Sequence, residues 1–188
     1  MAMKITFELS DTDLEHFRQV MVRSRQNAGE LSEAEIIENA RILLAQVWTS
    51  DTSDFIRERM QRLENLISMV VDTAWALEEE DRARALQALS YFSDPEDLIP
   101  DDVPGLGFLD DAIMIEMVTV EMEHEIHAYR DFCVFRDAEA TRSGETGKPL
   151  EPSDWLEERR QQLHSRMRRR RRRGPDHDKG GGSRFSLF

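Results

Sequence analysis

"SDPEDLIPDDVPGLGFLDDA", residues 93–112, decides how the chain is read. Seven acidic residues, three prolines and two glycines stand among these twenty positions, with apolar residues between them. Three readings compete: a metal loop, a carboxylate cluster with chemistry of its own, or a corner joining two helices. A calcium loop of the EF-hand type needs oxygen ligands at alternating positions and a glycine at the sixth. Counted from Asp94, the fifth and sixth positions are Leu98 and Ile99. Counted from Asp97, Pro100 and Val103 fall inside the loop. The corner accounts for more residues. Asp94-Pro95 is an N-cap followed by proline at the first helical position. Pro100 stops helix propagation, because it lacks an N–H and crowds the residue before it. Pro104-Gly105 signals a turn, and Gly107 allows positive φ or close backbone approach. Asp110 and Asp111 then fall in the first turn of the next helix, where its dipole favours negative charge. A rigid helix–helix corner with exposed acids is the expectation.

The flanks are helical. Ser10 and Asp13 start a helix through Leu14, Phe17, Val20 and Met21, closed by Gly29. Ser32 and Glu35 form a fuller capping box before an apolar face from Ile36 to Val47. "TSDTSD", 49–54, caps a third helix whose stripe runs from Phe55 through Met60, Leu63 and Ile67 to Trp75. A shorter helix carries Ala85, Leu86, Leu89 and Phe92. Beyond the corner, Leu109 to about Arg142 reads as one long helix. The alternation in 4–9, "KITFEL", finds no second strand, so an extended lead-in is expected. The fold class is all-α: an irregular bundle of five to six helices over 1–142. A linker at 143–154, a basic helix or arm at 155–173 and a flexible tail at 174–188 complete the chain.

The corner resembles a known family. "ALSYFSDPEDLIPDDVPGLGFLDDAIMIEMV", 88–118, is similar to the signature of the YkvA-like domain, a bacterial family of unknown function. Tyr91, Asp97, Leu98, Ile99, Pro100, Asp101, Pro104, Gly107, Leu109, Asp110 and Asp111 carry the match, and the module would span 83–120. The resemblance implies a small helical domain, often set between apolar, membrane-associated helices, and no particular activity. Here 72–87 and 119–140 are instead dense in charge.

Charge is unevenly placed. Residues 156–188 hold 11 basic and 4 acidic side chains, whereas the other 155 hold 14 basic and 34 acidic. An acidic body thus carries a basic arm, Arg168, Arg169, Arg170, Arg171, Arg172 and Arg173. Such an arm suits nucleic-acid phosphate or anionic lipid, or it folds back on the body. No aromatic residue interrupts the run, so stacking on single strands is not indicated. The last residues, Phe185, Ser186, Leu187 and Phe188, follow a glycine tether. They resemble the bacterial sliding-clamp-binding peptide, with Arg184 where that peptide has glutamine. A protein partner, the clamp among the candidates, is the expectation there.

Other constellations say less. Asp97, Asp101, Asp110 and Asp111 would hold Mg²⁺ or Ca²⁺, or serve a hydrolase, only if they converge; otherwise no cofactor is expected. Glu121-x-x-His124, with His127, and Asp13-x-x-His16 have di-iron-like spacing but read as exposed polar residues. Cys133 is the single cysteine, which leaves no intramolecular disulfide; it reads as buried and inert, and off the face of His127. No run of apolar residues is long enough to span a membrane, and a cytoplasmic location is the default. No nucleophile elbow, P-loop or dinucleotide fingerprint occurs. The sequence therefore points to a non-enzymatic interaction or adaptor module. A carboxylate metal protein or hydrolase and a peripheral membrane protein are the alternatives.

Overall fold

The computed structural model describes residues 8–27, 31–93, 99, 103, 106–143 and 154–173. Among them stand seven α-helices, one short 3-10 turn and no strand. The order is α1 (Asp11–Asn27), α2 (Glu33–Thr49), α3 (Asp54–Val71), α4 (Glu79–Leu89), the 3-10 turn η1 (Ser90–Ser93), α5 (Leu109–Glu121), α6 (Glu123–Ser143) and α7 (Asp154–Arg173). The all-α class holds, with one or two more helices than the sequence suggested.

The caps are those the sequence marks. The Ser32 hydroxyl accepts from the Glu35 N–H, and the Glu35 carboxylate accepts from the Ser32 N–H at 2.7 Å. Ser10 and Asp13 reproduce the arrangement at α1, and Ser53 caps α3. Each cap is worth about 1 kcal/mol.

Helix α3 is the central post. Ile56, Met60, Leu63, Leu66, Ile67, Met69 and Val70 are buried along it, and it packs on α2, α4, α5 and α6. Burying each such side chain stabilises the fold by roughly 1.5–3 kcal/mol. Helix α5 is apolar around much of its circumference, with Ala112, Met114, Ile115 and Val118 buried, and it lies mainly on α3. Helix α7 lies mainly on α6 and presents Leu156, Leu163 and Met167 inward.

Two helix boundaries depart from the sequence reading. The stripe of α3 does not run on to Trp75. The helix ends at Val71, because Asp72 takes an extended conformation and its Oδ1 accepts the N–H groups of Ala74 and Trp75 at 2.9 and 3.1 Å. Self-bonding by a short carboxylate offers the backbone an alternative to helix. The expected single helix from Leu109 to Arg142 is two. Met122 leaves helical geometry at φ −105°, ψ 21°, and its N–H bonds to the Val118 and Val120 carbonyls. Burying Met122 completely at that joint lets α5 lie on α3 while α6 carries α7. The lead-in at 4–7 and the tail at 174–188 lie outside the described residues.

Candidate functional site: the arginine helix and the acidic corner

Helix α7 is built with two opposed faces. Its apolar positions Leu156, Leu163 and Met167 fix which side meets the body. At 100° per residue, Arg170 and Arg171 fall nearest that side, Arg166 and Arg168 at its margins, and Arg169 and Arg172 away from it. The structure follows this division except at Arg170, which is exposed, while Arg168 turns to the body. Arg168 pairs with Glu78, and Arg171 pairs with Asp81 and, at 3.1 Å, with Glu125. Arg84 of α4 meets the same Glu125 at 2.6 Å. Asp81 and Glu125 are each only 1% exposed, so two buried carboxylates face two half-buried guanidinium groups. Asp81 beside Arg171 raises the already high proton affinity of that guanidinium. The hydrogen bond from Arg168 holds the Glu78 carboxyl below its usual range.

Arg166, Arg169, Arg170 and Arg172 are exposed. Arg166, Arg169 and Arg170 follow i, i+3, i+4 spacing, and Arg172 lies beside Arg169. Glu158, Gln161 and Gln162 continue the exposed face toward the helix start, and no apolar residue of α7 is exposed with them. Folding back and outward display, two alternatives in sequence, thus occur together, one on each side of the helix. The side chain of Arg173 lies outside the described residues.

The seat of α7 is aromatic as well as ionic. Trp75 is wholly buried, with Phe132 at 5.2 Å, Tyr129 at 5.8 Å and His164 at 4.2 Å between ring centroids. Beside it Ala76 holds φ at 45°, a left-handed conformation that costs a non-glycine residue roughly 1–2 kcal/mol. Ala76, Glu78, Arg160, His164 and Arg168 border a cleft of about 270 Å³.

On the other side of Trp75, Asp72 joins three elements. Its Oδ2 accepts from Tyr129 Oη at 3.0 Å and from Arg136 at 2.6 Å. Burial pushes the Asp72 carboxyl up, but Arg136, the Trp75 N–H and Tyr129 together outweigh burial and hold it below its usual range. Burial, with Cys133 and Asp72 nearby, pushes the Tyr129 phenol far up. Cys133 is half-buried, and burial pushes its thiol up in spite of Tyr129 and Arg136. A thiol kept protonated is a poor nucleophile. Its placement differs from expectation, since Cys133 and His127 both border one groove of about 600 Å³ with Arg62, Val120, Ile126 and Tyr129. The mismatch of about a third of a turn along α6 is bridged by the breadth of that groove.

The acidic corner corrects the expectation of exposed acids. Asp110 and Asp111 are 1% and 6% exposed. Asp110 Oδ2 accepts the Ile99 N–H at 3.0 Å, which ties the start of α5 to a residue eleven positions earlier. The backbone reaches α5 through Phe108, at φ 65°, whose ring is buried in the core. Leu106 and Gly107 both donate to the Val103 carbonyl, at 3.2 and 2.8 Å. Asp97 and Asp101, the other two carboxylates of the candidate metal cluster, lie outside the described residues, as do Phe185, Ser186, Leu187 and Phe188. Among the described residues no group of three or more His, Cys, Asp or Glu is placed to hold a metal ion, and no helix is long and apolar enough to cross a membrane. Glu121 and His127 are exposed and His124 is half-buried; the buried acid of that segment is Glu125 between them. Asp13 is committed to the cap of α1.

Sequence reasoning passed over Asp81, Glu125 and His164. Nothing in "EEED" or "EMEHE" marks which acid turns inward. For His164 a signal exists, because it adjoins Leu163 on the apolar face of α7. Comparison with known proteins adds one match: residues 81–117, from α4 through the corner into α5, are similar to a family described as "Protein of unknown function (DUF1232)". No curated protein and no solved structure matches the chain.

Proposed function

We propose that the chain is a non-enzymatic interaction module that presents the outer edge of α7 to the phosphate backbone of a nucleic acid. One observation carries the reading: Arg171 anchors the helix to buried carboxylates and Arg168 to the exposed Glu78, while Arg166, Arg169, Arg170 and Arg172 stay exposed. Anchoring removes much of the ordering cost that a loose arginine run would meet on binding. A row of guanidinium groups fits phosphate oxygens and releases counterions. The docked helix lacks the exposed apolar face that insertion into a lipid surface requires, which favours nucleic acid over membrane. The acidic body repels the same partner at longer range, so contact is confined to this edge. We read the match at 81–117 and the YkvA-like signature as one helical module that supplies the seat. A protein partner at Phe185–Phe188 and a divalent ion at the acidic corner stand as further proposals.

The test is fluorescence anisotropy with a labelled DNA duplex, an RNA of equal length and phosphatidylserine vesicles, at several salt concentrations. Duplex affinity should fall with salt at a log–log slope of about −3 to −4, as expected for three or four phosphate contacts. Replacing Arg166, Arg169, Arg170 and Arg172 together by Gln should abolish binding and leave the helical content unchanged. Binding that survives the replacement overturns the reading. Binding to vesicles but to neither nucleic acid transfers the edge to membranes.

A further inference from the structure

The seat of α7 holds one titratable group that phosphate binding does not use. His164 is 4% exposed, and its ring lies against Trp75. Its Nε2 stands 3.3 Å from the Trp75 carbonyl oxygen. A carbonyl only accepts, so Nε2 carries the hydrogen and Nδ1 presents a lone pair. That Nδ1 is 3.7 Å from Glu78 Oε1 and makes no hydrogen bond among the described residues. The same Glu78 oxygen is the acceptor for Arg168.

We propose that His164 is a proton-operated latch on the arginine helix: a proton at its buried Nδ1 places an unpaired charge in the seat, loosens α7 and frees more arginines. The use of those arginines rests on the phosphate-binding reading above; the latch does not.

The charges around the ring set its direction. Glu78, from the connection between α3 and α4, favours the proton. Arg160 and Arg168, on either side along α7, oppose it, and Arg160 is itself held by Glu157 at 2.5 Å. From α6, Phe132 and Tyr129 pack on Trp75, and neither brings a charge. Burial is the largest influence, and it pushes the imidazole below its ordinary value of 6.5. A group lowered on docking stabilises the docked state fully above its ordinary value and progressively less as pH falls below it. In the released helix the imidazole takes its proton in water without that penalty. Mild acid therefore favours release.

Amide hydrogen exchange of α7 in the full chain tests the latch, at about pH 7.5 and about pH 5.5 with intrinsic rates corrected. The opening equilibrium should rise between them by up to about tenfold, the ceiling for one imidazole of ordinary affinity. His164→Gln keeps a donor for the Trp75 carbonyl and should remove the rise. Equal protection of the wild type at both pH values overturns the proposal, as does a rise that His164→Gln retains. Should that variant fail to fold, Glu78→Gln gives a second test. It should open more at both pH values and keep the acid dependence, and loss of the dependence there sinks the latch. Duplex affinity, followed in parallel, separates the two ideas: a helix that opens in acid on a chain that binds no duplex retains the latch and discards the phosphate reading.

Discussion

The acidic corner and the arginine run are both dense in one sign of charge, yet the fold uses them in opposite ways. At the corner the described acids turn inward, and Asp110 closes a loop by accepting a backbone N–H. Along α7 the arginines divide, two toward acidic partners on the body, of which those of Arg171 are buried, and four outward to solvent. The difference lies in what each charge meets. A carboxylate satisfies a nearby N–H with one short side chain. A guanidinium has a long stem that reaches either inward or away, so neighbouring arginines part according to the acids within reach as well as helix phase. Charge density alone thus says little about exposure, and the partner each side chain meets decides.

Substitutions can break or sharpen that contrast. The largest effect should come from Arg171→Ala, which strips Asp81 and Glu125 of a partner while they remain buried. Breaking a buried pair costs about 3–5 kcal/mol, and the partial exposure of Arg171 puts the expected loss near the lower end, about 3 kcal/mol by urea unfolding. A loss within experimental error would show that Arg84 alone suffices. Asp110→Ala should cost about 2 kcal/mol, because it leaves the Ile99 N–H without its acceptor. Thermal melting of that variant compares the corner directly with α7. Asp72→Asn should cost about 1 kcal/mol near neutral pH through weaker bonds to Arg136 and Tyr129. Its sign with pH is fixed: the Asp72 carboxyl is held below its ordinary 3.8, so its contribution is complete above that value and lost as pH falls below it. The wild type and Asp72→Asn should therefore converge in melting temperature in strong acid. The smallest effect should be that of Arg170→Ala, within about 0.5 kcal/mol on stability, since its side chain is exposed. A large loss there would erase the distinction between inner and outer arginines.

Much of this was legible before folding. Ser32 with Glu35, and Ser53 before Phe55, fix two helix starts by chemistry that needs no tertiary context. The inward positions of α2 follow directly from its spacing. The breaks at Val71 and Met122 were not legible, for different reasons. At Asp72 a side chain outcompetes the helix for its own backbone, a local event that the apolar stripe through Trp75 conceals. At Met122 the cause is tertiary, because α5 and α6 bury different faces against different neighbours. Six identical arginines carry no periodicity among themselves, and Leu163 and Met167 upstream would turn Arg170 inward with Arg171, so the exposure of Arg170 was not legible. Asp110 read as a dipole partner, whereas its bond to Ile99 depends on a chain reversal that spacing does not encode.

The reach of the α7 contacts along the chain carries a kinetic consequence. Arg168 to Glu78 and Arg171 to Asp81 each join residues 90 positions apart, and His164 to Trp75 joins residues 89 apart. Closing so long a loop is entropically costly, so these contacts form after the local helix pairs have condensed. Weakening them should then speed unfolding far more than it slows folding. The clasp of α7 would act as a brake on departure from the native state rather than as a guide toward it.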